Sequence, residues 1–232
     1  MSRHAVAEPL PMSRQDRKDQ TRKGLVRAAL QLMGEGRSFT SLGIREIARE
    51  ADMVPNGFYR HFRNTDELGL SLVEEVGVTL RQLLRQARQP DSPDTSLVRK
   101  SVRVYHQYIR DNRLLFLFIS SERAGGSRIL RMAIREEVRH FVDDMARDMQ
   151  AMPAYRSMPL PTLQMVCSLI VNTMLAAAPE ILDLPMDQPT LEQAMVQRFV
   201  HQLQLILLGA SLLQSSSQLT APMNRDQLGL IA

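Results

Sequence analysis

The chain has 232 residues, of which 44% are apolar, enough to bury a core in one large or two small domains. Net charge is only +4, and the single cysteine, Cys167, excludes an internal disulfide framework and fits a reducing cytoplasm. Early prolines and charges argue against a secretory leader, and no window reads as a continuous apolar span for a bilayer.

The charge is unevenly placed. Residues 1–64 carry 12 Lys and Arg against 7 Asp and Glu, while the remainder carries 17 against 18. A polyanion would therefore dock at the N-terminal quarter. Aromatic residues are few, Trp is absent, and β-branched residues do not alternate, so the expected fold class is all-α.

Residues 1–13 hold two prolines without periodicity and read as a flexible arm. Leu25, Ala28, Ala29, Leu32 and Met33 then recur at helical spacing until Gly34 and Gly36 stop the helix. A short helix over about 44–51 follows, with Ile44, Ile47, Ala48 and Ala51 on one face. A turn at Asp52-Met53 leads to a second short helix over about 55–62, where Phe58 and Phe62 form the facing apolar pair. Two short helices joined by about three residues have the spacing of a helix-turn-helix, here within residues 14–64.

Residues 65–89 form an uninterrupted helical pattern, with Asp66 and Glu67 in the first turn and arginines near the end, as the helix dipole favours. Further helices are expected over about 94–110, 112–121, 127–151, 160–182 and 190–213, separated by glycines and prolines. The serines after Gln214 open a polar stretch, 214–232, read as a disordered tail. The expected architecture is a three-helix N-terminal unit followed by a larger helical body over residues 65–213.

The second short helix leaves Asn56, Gly57, Tyr59, Arg60 and His61 outside, almost without acidic neighbours. Such an element suits the major groove, with Arg, Asn and Tyr offering donors to bases and phosphates and Gly57 allowing close approach. Operator-like double-stranded DNA is the expected partner.

Here the sequence resembles the TetR family of repressors. The resemblance rests on Arg45-Glu46-Ile47-Ala48-Arg49-Glu50-Ala51 and Phe58-Tyr59-Arg60-His61-Phe62, within about residues 14–70. It implies phosphate contacts from Tyr59 and His61, with Arg45, Asn56, Gly57 and Arg60 nearest the bases and Pro55 and Arg63 flanking them. Three departures stand out. Asp52 occupies the turn position where the family usually has Gly, Gly43 and Val54 stand at hydroxyl cap positions, and Thr65 replaces a frequent Lys. Asp tolerates left-handed backbone better than most residues, and Pro55 at the first helical position offsets a poor cap.

A further resemblance, over roughly residues 14–145, is to the FabR/DesT branch, regulators of unsaturated fatty acid synthesis. Its carriers include Arg37-Ser38-Phe39, Asp66-Glu67-Leu68-Gly69-Leu70 and Glu122-Arg123. This branch implies a long-chain acyl-coenzyme A as effector, with no other cofactor. The run over 114–119 is apolar on every face, and methionines spread over several helices could line a tunnel for a flexible chain. The candidate pocket residues are Leu115, Phe116, Phe118, Ile119, Arg123, Met132 and Met174. Core packing explains the same apolar residues, and a solvated face explains the arginines.

By the same resemblance the last two long helices pair with their copies in a four-helix bundle, through Val166, Ile170, Phe199, Leu203, Ile206 and Leu207. The alternatives are a TetR-type repressor of another regulon sensing a different hydrophobic molecule, or a non-regulatory architectural DNA-binding protein. Enzymatic readings find no footing. His106, His140 and His201 lack metal-ligand spacing, and no nucleophile elbow, P-loop or dinucleotide fingerprint occurs.

Overall fold

A computed structural model describes residues 13–88, 97–185 and 187–219, with side chains of 214–219 left aside. Among the described residues the chain forms nine α-helices and two 3₁₀ turns, without strands. The all-α expectation holds. The N-terminal arm, the segment 89–96 and the end of the expected tail lie outside the described residues.

Helix α1 (Arg14–Gly34) opens on a reciprocal cap. Ser13 Oγ accepts from the Asp16 N–H and the Asp16 carboxylate accepts from the Ser13 N–H, both at 3.1 Å. Its stripe of Leu25, Ala28, Ala29, Leu32 and Met33 is buried in one core with Ile47, Phe58 and Phe62. A 3₁₀ turn at Phe39–Ser41 leads to α2 (Ile44–Glu50) and α3 (Pro55–Phe58). The second helix of the motif is thus a single α-turn, shorter than expected. It continues as a hydrogen-bonded turn in which the Phe62 N–H donates to the Phe58 carbonyl at 3.0 Å.

Helix α4 (Thr65–Ala87) starts on Asn64, whose side chain accepts from the Glu67 N–H at 2.9 Å. It ends deep in a body made of α5 (Leu97–Asp111), α6 (Arg113–Ala124), α7 (Arg128–Gln150), α8 (Leu160–Asp183) and α9 (Pro189–Leu219). A second 3₁₀ turn, Pro153–Tyr155, joins α7 to α8. The N-terminal unit is docked on this body. Phe39 meets Phe118 of α6 edge-on with ring centroids 4.9 Å apart, and Gly69 of α4 lies against Leu130 and Phe39.

Two expectations need correction. Helix α9 runs to Leu219, so the polar tail does not begin at 214; serine disfavours a helix only modestly. Helix α8 is long and apolar enough by composition to cross a bilayer, with mean hydropathy 1.7 over its best window, although the sequence suggested no such span. Half of that window is buried among the other helices, which accounts for much of its apolar character. Helices α4 and α7 also meet through charged side chains. Arg81 pairs with Glu137 and, at 3.9 Å, with Asp144, while Arg85 and Arg88 both reach Asp148 at 3.6 and 2.8 Å. An ionic seam clamps the second half of α4.

Candidate nucleic-acid interface and interior cavity

Helices α2 and α3 are held in register by the turn between them. Asp52 has φ +55°, the one positive value at a non-glycine among the described residues, as the sequence comparison with a glycine turn anticipated. The Met53 N–H donates to Ala48 at 2.8 Å, closing the end of α2. Arg37 fixes the other end by a two-pronged pair with Glu46 at 2.5 and 3.3 Å. That pair holds the Glu46 carboxyl below its ordinary range, and the Gly43 N–H adds a weaker contact at 3.5 Å.

The outer face then follows from the helical register. Arg45, Pro55, Asn56, Tyr59, Arg60 and Arg63 are all exposed, with no acidic residue between 53 and 65. Gly57 is not part of that face. It is buried, and a Cβ there would meet Met53 Cε at 2.7 Å, so the glycine serves packing within the motif rather than approach to DNA. His61 is partly exposed, with a buried Nδ1 that has no partner among the described residues. Burial, and after it the charges of Lys18, Arg22 and Arg60, holds its pKa below the ordinary value. Arg22 also lies over the Phe62 ring, 5.0 Å from its centroid. Helix α1 therefore adds cations beside α3, a contribution the motif alone did not reveal. Five exposed donors on a basic surface suit phosphates and base edges.

The body holds a cavity of about 190 Å³ among α4, α5, α6, α7, α8 and α9. Its wall is almost wholly apolar and includes Val76 and Leu84 of α4, Met145 and Met149 of α7, and Met174 of α8. Of the candidate pocket residues, Ile119 and Met174 line it. Leu115, Phe116 and Phe118 are buried in the core instead, where Phe116 meets the rings of Tyr105 and Tyr108. Arg123 does not line the cavity and donates to Asn172 at 2.9 Å, tying α6 to α8. Met132 is half exposed on the far face of α7. The sequence could not separate these positions, because a wholly apolar run has no face to point with.

The candidate pairing residues are displaced in the same way. Val166, Ile170, Phe199 and Leu203 are buried inside the single chain, and Ile170, Leu203 and the half-buried Leu207 line the cavity. Ile206 is half-buried and packs against the core. An exposed apolar ridge lies one position away on each helix. Met165 and Leu169 of α8 and Leu205, Leu208 and Leu212 of α9 are each more than half exposed. Two histidines also have acidic partners: His106 reaches Glu192 at 3.4 Å, a pairing that spacing did not show, and His140 reaches Glu136 one helical turn away at 3.1 Å.

Two family models match the sequence. Residues 25–72 match the bacterial regulatory proteins of the tetR family, and residues 94–202 match the tetracyclin repressor-like C-terminal domain. Among solved structures, GusR of Salmonella enterica is similar at 19% identity and a TM-score of 0.64, covering 88% of this chain and 97% of that one. The fatty acid degradation regulator FadR of Bacillus halodurans is similar at 14% identity and a TM-score of 0.60, over 78% and 94% of the two chains. The SmeT–triclosan complex matches at 18% identity and 0.57, over 78% and 90%. Identities this low speak for the fold alone.

Proposed function

The chain belongs to the TetR family of ligand-responsive, DNA-binding repressors, which act as dimers, and we propose that its effector is a long-chain acyl-coenzyme A whose chain enters the cavity. The observation that supports this reading is the cavity itself, an apolar chamber walled by flexible methionines. Its genes would then include enzymes of unsaturated-chain synthesis, in line with the resemblance of residues 14–145. Arg45, Asn56 and Arg60 are assigned to the bases and Tyr59, His61 and Arg63 to the backbone, with Pro55 presetting the short helix.

Coupling runs through α4, which begins beside the DNA face and lines the cavity with Val73, Val76, Leu80 and Leu84. A chain that fits one position of α4 better than another changes the separation of the two recognition elements in a dimer. Both must reach successive grooves together, so that separation sets operator affinity. The ligand must discriminate between the two positions, because equal affinity for both shifts nothing. A tenfold change needs only about 1.4 kcal/mol of coupling.

A second reading is favoured by size. A cavity near 190 Å³ is of the order that holds a small aromatic, and a compact apolar effector would fill it without moving its walls. Triclosan in SmeT is a compact apolar ligand on a related fold. The deciding experiment selects an operator from randomised DNA and titrates the complex with thioesters of 16 and 18 carbons, saturated and unsaturated, beside free coenzyme A. Release or tightening by the thioesters alone supports acyl sensing. If none differs from free coenzyme A, acyl sensing fails and the compact effector remains.

A further inference from the structure

The wall of the cavity carries two charged side chains, and their situations differ. Glu137, on α7, is already engaged by Arg81. Arg88, at the end of α4, has a side chain only 11% exposed and donates through one terminal nitrogen to Asp148 at 2.8 Å. Asp148 is shared, because Arg85 reaches it at 3.6 Å. One carboxylate therefore faces two guanidinium groups at this end. The Nε–H of Arg88 is buried and has no acceptor among the described residues.

A buried charged donor without a partner is costly, and proteins leave few of them. Leu84, Met149 and Tyr155 line the same cavity, and none offers a carboxylate. We propose that Arg88 is the polar anchor of the cavity, taking an acceptor oxygen of the effector, a carboxylate or a thioester carbonyl, on its unpaired N–H. This rests on the cavity being the effector site. It narrows the class: the ligand has an apolar body with an oxygen acceptor, and a cationic amphiphile is disfavoured by the local excess of positive charge.

The anchor also bears on regulation. The guanidinium that meets the ligand is the same one that holds α4 to α7 through Asp148. An acceptor on the Nε–H draws on the same positive charge as Asp148 on the terminal nitrogen, so a ligand there bears directly on the contact that secures the end of α4.

The test measures displacement of a neutral naphthylamine dye from the full chain by four 12-carbon probes: dodecanoate, a dodecanoyl thioester of N-acetylcysteamine, 1-chlorododecane and dodecylamine. In the wild type, at least one of the two acceptor-bearing probes binds roughly tenfold tighter than the chloride and the amine, the size expected of one buried charge-assisted hydrogen bond. Arg88→Met abolishes that preference while the chloride keeps its affinity. Asp148→Asn, which leaves Arg88 in place, keeps or sharpens the preference and guards against a mere folding defect, with melting curves recorded for each variant. Preference for dodecanoate alone identifies a carboxylate ligand, and preference for the thioester a carbonyl one; both support the anchor. Four probes bound within threefold of one another, or a preference that survives Arg88→Met, overturn the anchor and leave the cavity as a binding site. A dye displaced by none of them overturns the anchor and the acyl reading together.

Discussion

At Arg60 and Tyr59 the chain presents two exposed donors of different reach on one short turn. If Arg60 reads a base, Arg60→Ala lowers affinity for the selected operator by about 1–3 kcal/mol and relaxes preference there. Tyr59→Phe, which removes a hydroxyl assigned to phosphate, weakens specific and random DNA alike. Gel-shift titrations on both DNAs check the pair, and equal losses for Arg60→Ala reassign it to the backbone. Glu122 shows the opposite chemistry. It is 2% exposed at the end of α6, accepts from the Ser127 N–H at 3.2 Å, and burial raises its pKa above 4.5. A carboxyl raised on folding binds its proton more tightly in the folded state. Its contribution to stability is therefore best below pH 4.5 and is lost as pH rises through the folded value. Glu122→Gln keeps an acceptor for Ser127 without the charge. It should melt above the wild type at pH 7, with the gap closing toward pH 4.5; a gap independent of pH would show that ionisation is not its source.

Among the elements, α4 carries both halves of the argument, since its first turns meet the N-terminal unit and its last turns meet the cavity. The contact at its start needs the absence of a side chain. A Cβ on Gly69 would lie 2.8 and 2.9 Å from the two Leu130 methyls and 2.9 Å from Phe39 Cε1. Gly69→Val should therefore destabilise by about 1–3 kcal/mol through overpacking, seen by urea denaturation. It should also weaken operator binding by tilting the N-terminal unit on the body, while dye uptake into the cavity changes little. The turn between α2 and α3 was readable without coordinates. Asp52 stands where left-handed backbone is required, and φ +55° is what that requirement produces. The length of α3 was not readable, because Pro55 announces a start but no residue announces where one α-turn gives way to a looser one.

For the whole molecule, the exposed ridge of Met165, Leu169, Leu205, Leu208 and Leu212 is the surface we assign to the partner copy in the dimer. Leu205→Asp with Leu208→Asp should give a monomer by light scattering that still melts cooperatively. Operator affinity should fall at least roughly tenfold, since two half-sites are no longer engaged together. Leu203→Asp should behave differently, because Leu203 is 5% exposed and lines the cavity; it should lower the melting temperature rather than simply split the dimer. A dimer that survives the double change would place the interface elsewhere.

Local chemistry in the sequence determined the helical class, the helix-turn-helix, its strained turn and most of its outward donors. Each depends on residues within one or two turns of each other, where spacing alone decides which side chains share a face. Tertiary structure decided the rest. Which of Leu203 and Leu205 faces the core is a rotation of α9 about its axis, and a helix apolar on many sides leaves that rotation open. The seam from Arg81 to Arg88 joins residues about 60 positions apart, and the cavity gathers side chains from six helices. Such contacts exist only once packing has chosen the partners, because neither charge nor apolarity at one position carries a record of what will lie opposite it.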